Sequence, residues 1–103
     1  MNILQRISAT IEKNKGADPA KSYVAQLHAA GLEKTLEKVE EESAETITAA
    51  RTGNRDEVAR EVADLWFHTL VMMACFDLDA DDVFAELERR EGTSGLAEKA
   101  GRR

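Results

Sequence analysis

The chain has 103 residues, 43% of them hydrophobic and 33% charged, with a formal net charge of −6. That length allows one domain, residues 1–103, and the composition excludes a disordered chain. The acidic balance excludes a general nucleic-acid binder, and no apolar run approaches the ~20 residues needed to span a membrane.

A single proline, Pro19, and only 5% aromatic residues favour helix over sheet. Ile3, Leu4, Ile7 and Ile11 recur at helical spacing and predict a first amphipathic helix over residues 2–14, with no signal-peptide core. Residues 15–20 contain Gly16, Asp18 and Pro19 and read as a connector. Ser22 is placed to cap a short helix carrying Val24 and Leu27, which Gly31 ends. A long helix is predicted from Leu32 to Arg51, with Leu32, Leu36, Val39, Ser43, Ile47 and Ala50 on one stripe and Gly53 as its stop. Asn54, with Glu57 three positions on, starts the next helix, which should reach about Phe76. That helix is apolar nearly all round near its end, which in so short a chain predicts a subunit interface through Trp66, Phe67, Leu70 and Met73. Cys75 in this run reads as a buried, inert thiol, and a lone cysteine fits a cytoplasmic protein. Asp79 or Asp81 caps a last helix, with Val83, Phe84 and Leu87 inward and an end near Gly92; the tail, residues 93–103, reads as flexible.

The acids carry the functional signal. Glu42 and Glu45 are three apart on one helix face, shared with Lys38 and Ala49, and Glu61 and Asp64 are three apart on the next helix. The loop joining the two helices is short, so they should pack antiparallel and bring the acidic pairs into one cleft. Like charges that close repel, and a bound cation resolves the conflict; oxygen ligands without cysteine or histidine suit magnesium first and manganese second. A solvated charged face remains the alternative for the run Glu40–Glu42, whereas Glu61 and Asp64 border an apolar segment, where an unpaired acid is expensive.

Glu41-Glu42-Ser43-Ala44-Glu45 followed by Glu61-Val62-Ala63-Asp64 resembles the EExxE…ExxD signature of the all-α nucleoside-triphosphate pyrophosphohydrolases, the MazG-like superfamily. The flanks SYVAQLHAAGLEKTLEKVEEESAE, GNRDEVAREVADLWFH and LDADDVFAELERREGTSGLAEKA are similar to the phosphoribosyl-ATP pyrophosphatase family of histidine biosynthesis. The likeness runs from about Ser22 to Lys99. It implies an all-α helical bundle that dimerises tightly, and magnesium-dependent hydrolysis of phosphoribosyl-ATP to phosphoribosyl-AMP and pyrophosphate. By position it implies Glu42, Glu45, Glu61 and Asp64 as metal ligands and Glu41 as the residue that orients or deprotonates water. Lys34, Lys38, Ser22 and Tyr23 are implied as substrate-binding residues. The chain departs from the family at Glu40, where glycine is common, and at Phe67, where tyrosine is common.

Other readings stand beside these. His68, one turn beyond Asp64, reads as a packed residue or as a support for the metal site, and His28 as a surface residue. Lys34 and Lys38 are also placed for surface pairing with nearby glutamates, and Arg89 and Arg90 for dipole compensation at a helix end. A general house-cleaning nucleotide pyrophosphohydrolase would share the same acids, and a non-catalytic helical dimerisation module would share the same fold. A di-iron bundle would need Glu-x-x-His pairs, but Leu65 and Ala25 stand three before the two histidines.

Overall fold

The computed structural model describes residues 1–102, so Arg103, the end of the expected tail, lies outside the described residues. Among the described residues every regular element is a helix. Each helix begins where a short polar side chain can satisfy the free N–H groups of its first turn, except the third, which follows directly on a glycine. Asn2 and Gln5 form a reciprocal capping box for α1 (Ile3–Asn14). Ser22 Oγ accepts from the Ala25 N–H at 3.1 Å to start α2 (Tyr23–Ala30). Gly31, at φ +96°, allows the chain to turn straight into α3 (Leu32–Thr52). Gly53 closes α3 in the left-handed region at φ +78°, and Asn54 Oδ1 accepts from the Glu57 N–H at 3.1 Å to open α4 (Arg55–Ala74). Asp79, not Asp81, caps α5 (Ala80–Arg90), with Asp82 returning the bond.

α3 and α4 form an antiparallel hairpin, the principal packing in the molecule, with α1 laid on α4 and α2 on α3. The core lies at the C-terminal end of α4, where Leu70, Val71, Met73 and Ala74 meet Ile11, Val24, Leu27 and Ala80. All the buried residues of α4 fall between His68 and Ala74, so the half of the hairpin nearer its turn is left without a covering helix. Leu70 and Met73, expected at a subunit interface, are therefore core residues of this chain, while Trp66 stays 55% exposed.

The structure changes other expectations too. α3 turns Thr35, Glu42 and Ala49 inward, while Ile47 and Ala50 of the apolar stripe are exposed. The reason is geometric: α4 takes the Thr35–Ala49 face and α2 covers only part of the rest, so Leu32, Leu36, Val39 and Ser43 are half-buried while Ile47 and Ala50 lie outside. Val83 and Leu87 of α5 are also exposed, and line a shallow apolar groove of about 280 Å³ with Leu4 and Trp66. Cys75 is half-buried, not buried, and donates to the Val71 carbonyl. The tail contains a short helix, α6 (Gly95–Gly101), capped by Ser94. Arg89 and Arg90 do more than face a helix end: both pair with Glu86, and Arg89 holds Glu98 of α6 at 2.6 Å.

Candidate functional site

The hairpin turn sets the register of the acids. Glu45 stands eight residues before Gly53 and Glu61 eight after it; Glu42 stands eleven before and Asp64 eleven after. A symmetric antiparallel pair therefore brings the two pairs level. Carboxylate oxygens of Glu42, Glu45 and Glu61 lie within 4.8 Å of one another. Ala49, 2% exposed, keeps the next turn of α3 free of bulk.

The cluster is strained electrostatically. Glu42 is only 6% exposed, and Oε2 of Glu42 and Oε2 of Glu61 are shut from solvent without a hydrogen-bond partner. Burial pushes the Glu42 carboxyl above its usual range, and the charge of Glu45 pushes it further. Burial likewise raises Glu61, with the adjoining Glu45 next in effect. Asp64 is exposed and outside the trio, yet close enough for its charge to raise both. Two buried oxygens without donors, facing a third carboxylate, form a site that a hard cation would satisfy.

Lys38 borders the cleft. Its Nζ lies 3.3 Å from Glu41 Oε2 and 3.7 Å from Glu42 Oε1, and the bond to Glu41 raises its pKa. Glu41 is thus outside the carboxylate trio, half-exposed and tied to it through Lys38. Lys34 is not brought to the cleft; it is exposed and pairs with Glu37 at 3.5 Å, the surface arrangement that its spacing also allowed. Ser22 uses its oxygen to cap α2. Tyr23 reaches across to α4, where its hydroxyl meets His68 Nε2 at 2.9 Å.

His68 is the residue whose part was least visible beforehand. It is 5% exposed, and its Nδ1 lies 2.8 Å from the Asp64 carbonyl oxygen. A carbonyl only accepts, so Nδ1 carries the proton; in the neutral ring Nε2 is then left to accept from Tyr23. Tyr23 also stacks on Phe67, centroids 6.3 Å apart, and His68 meets Phe67 edge-on at 5.2 Å. The one available signal was the four-residue step from Asp64 to His68; the partner on α2 is 45 residues away and follows no spacing rule.

The arrangement is an acidic cluster between α3 and α4, with the Lys38 ammonium at its edge and an aromatic cluster beside it. Such a cluster can hold a hard cation and, through it, a polyphosphate.

The phosphoribosyl-ATP pyrophosphohydrolase family matches residues 4–91 of the chain. A phosphoribosyl-ATP pyrophosphatase of Cereibacter sphaeroides is 54% identical over 102 residues, covering 99% of each chain. One from Erythrobacter litoralis is 55% identical over 102 residues, 99% of this chain and 98% of the relative. One from Nitrosomonas eutropha is 50% identical over 100 residues, 97% of this chain and 86% of the relative.

Proposed function

The chain belongs to the phosphoribosyl-ATP pyrophosphohydrolase family, and we propose that it hydrolyses phosphoribosyl-ATP to phosphoribosyl-AMP and pyrophosphate in the acidic cleft, with magnesium. The observation that carries the site assignment is the pair of buried, unpartnered oxygens of Glu42 and Glu61 facing Glu45. Glu42, Glu45 and Glu61 would hold the ion, with Asp64 as the fourth ligand from the open side; manganese is the natural substitute. When bound, the ion offsets the charge of the polyphosphate and of the departing pyrophosphate.

The remaining residues bind and orient. Lys38 meets phosphate oxygens at the rim. Glu41 is half-exposed and held by Lys38 at 3.3 Å, and it accepts the proton of the attacking water. That water attacks the α-phosphorus in line, the bond to the bridging oxygen breaks, and pyrophosphate departs. Ser22, whose oxygen already caps α2, keeps a hydroxyl proton to donate to phosphate. Lys34 reaches the substrate only by leaving Glu37, an exposed pair that costs little to break.

We further propose that the working form is a homodimer, supported by the uncovered half of the α3–α4 hairpin and the exposed Ile47 and Trp66. No helix among the described residues is long and apolar enough to cross a membrane; a free nucleotide substrate and a lone cysteine support placement in the cytoplasm.

Steady-state kinetics on phosphoribosyl-ATP, ATP and dUTP with magnesium test the reading. The expected result is a preference for phosphoribosyl-ATP of roughly a hundredfold or more in kcat/KM, since a phosphate met by charge-assisted donors contributes several kcal/mol. Comparable efficiency on ordinary nucleotides would instead identify a house-cleaning enzyme with the same site.

A further inference from the structure

Resting on that reading of the reaction, the structure poses a question the acids cannot answer. They see only metal and phosphates, which phosphoribosyl-ATP and ATP share. The two differ at the purine: an adenine with a carbon substituent on N1 is an amidinium cation unless its exocyclic amine gives up a proton. Recognition of such a base calls for a flat surface of negative potential beside the phosphate site, and aromatic faces supply it.

Tyr23 is the exposed aromatic on the cleft side. It is 44% exposed, and its hydroxyl lies 2.9 Å from Nε2 of His68, whose Nδ1 lies 2.8 Å from the carbonyl oxygen of Asp64, beside the acidic cluster. The other exposed aromatics lie elsewhere: Trp66 lines the groove with Val83 and Leu87, and Phe76 follows the end of α4. Tyr23 is also held in place. Its hydroxyl is bonded to His68, Phe67 stacks on it with an interplanar angle of 19°, and His68 meets its ring edge at 5.7 Å. A ring fixed by three contacts loses little freedom when a base lies on it. The His68 ring is itself fixed to the carbonyl of Asp64, so the aromatic surface and a proposed metal ligand keep a set separation.

We propose that Tyr23 is a specificity-determining residue whose ring stacks on the N1-substituted, cationic purine of the substrate, and that His68 is the positioning residue that holds it there. The contact is made by the ring; the hydroxyl is committed to His68.

The test uses ATP, 1-methyl-ATP and phosphoribosyl-ATP as magnesium complexes, with kcat and KM measured separately for the wild type, Tyr23→Phe and Tyr23→Leu. 1-Methyl-ATP carries the charged purine without the second ribose phosphate. The wild type should favour it over ATP by ~10-fold in kcat/KM, as expected for a desolvated cation–aromatic contact. Tyr23→Phe keeps the ring and its stack on Phe67 but gives up the bond to His68, so it should keep a preference smaller than that of the wild type; an undiminished preference would overturn the positioning role of His68. Tyr23→Leu should bring it to near one through KM, its loss on 1-methyl-ATP exceeding its loss on ATP by the same ~10-fold. A merely structural role for Tyr23 would lower all three substrates together, and that result overturns the inference. So does a wild type that treats 1-methyl-ATP and ATP alike, a comparison that decides the matter even if Tyr23→Leu fails to fold. If that wild type still prefers phosphoribosyl-ATP, the proposed reaction stands and discrimination lies with the ribose phosphate. If it prefers neither, the proposed reaction itself falls.

Discussion

Glu42 holds an oxygen that neither water nor a hydrogen-bond donor reaches, beside two more carboxylates. Such a group destabilises the metal-free fold, so replacing its charge should not harm stability. Glu42→Gln is expected to abolish turnover while helical circular dichroism is unchanged and Tm is equal or higher; near wild-type activity would remove Glu42 from the site. The pH dependence follows from the same groups. Glu42 and Glu61 are raised above 4.5 in the folded state, so the native protein takes up their protons more readily than the unfolded chain does. In metal-free protein their effect is a stability gain as pH falls through the folded values, complete at the unfolded value. Glu86 acts oppositely: Arg89 and Arg90 hold it at about 2, so its stabilisation is intact above 4.5 and lost below. Calorimetry without metal should therefore show Tm rising as pH falls from neutrality toward 4.5 and declining at lower pH, with Glu42→Gln flattening the rise. A Tm that only declines from pH 7 would contradict the strained cluster. At this scale the acids were legible, because three-residue spacing on two helices places carboxylates on defined faces. The part played by His68 was not, since its bond to Tyr23 depends on how α2 folds back over the hairpin.

The α3–α4 turn decides whether the acids meet. Gly53 sits at φ +78°, and a Cβ built there would touch nothing within 4 Å, so a side chain at this position is penalised by backbone strain alone. Gly53→Ala should cost about 1 kcal/mol, roughly 5 °C in Tm. It should also lower turnover, because Glu45 and Glu61 are both measured from this residue. A variant of unchanged stability and rate would show that the turn does not set the register. The helices themselves were readable from Ser22, Gly31, Gly53, Asn54 and Asp79, since each has a local chemical reason to start or stop a helix. That the apolar stripe of α3 would not be its most buried face was not readable. The apolar stripe pointed one way, while the partner helix took the face with Thr35, Glu42 and Ala49. The same limit applies to α5, where Val83 and Leu87 have the inward spacing yet stay exposed along a shallow groove. The tail helix, capped by Ser94 and met by Arg89 through Glu98, was not readable from the small polar residues around it.

As a whole the molecule is loosely covered for its size. Its radius of gyration is 15.6 Å, against about 13 Å for a compact chain of this length. Its accessible surface is 7281 Å², against about 5,800 Å² for a folded monomer of this mass. The difference, roughly 1,500 Å², exceeds the ~800 Å² per partner of an ordinary stable interface. Analytical ultracentrifugation at low micromolar concentration should accordingly show dimer without monomer, whereas a folded monomer would defeat the interface argument. The proposed function of the whole molecule requires the acids facing each other across α3 and α4 to hold the metal on which phosphoribosyl-ATP hydrolysis would depend. Pyrophosphate release from phosphoribosyl-ATP, followed through a magnesium titration for the wild type and Glu61→Gln, tests it most directly. Saturable dependence on magnesium is expected in the wild type. Glu61→Gln should be slower by at least two orders of magnitude at every magnesium concentration, about 3 kcal/mol of lost transition-state stabilisation. Release that needs no magnesium, or a Glu61→Gln protein that turns over near the wild-type rate, would contradict the metal-holding role of the cluster.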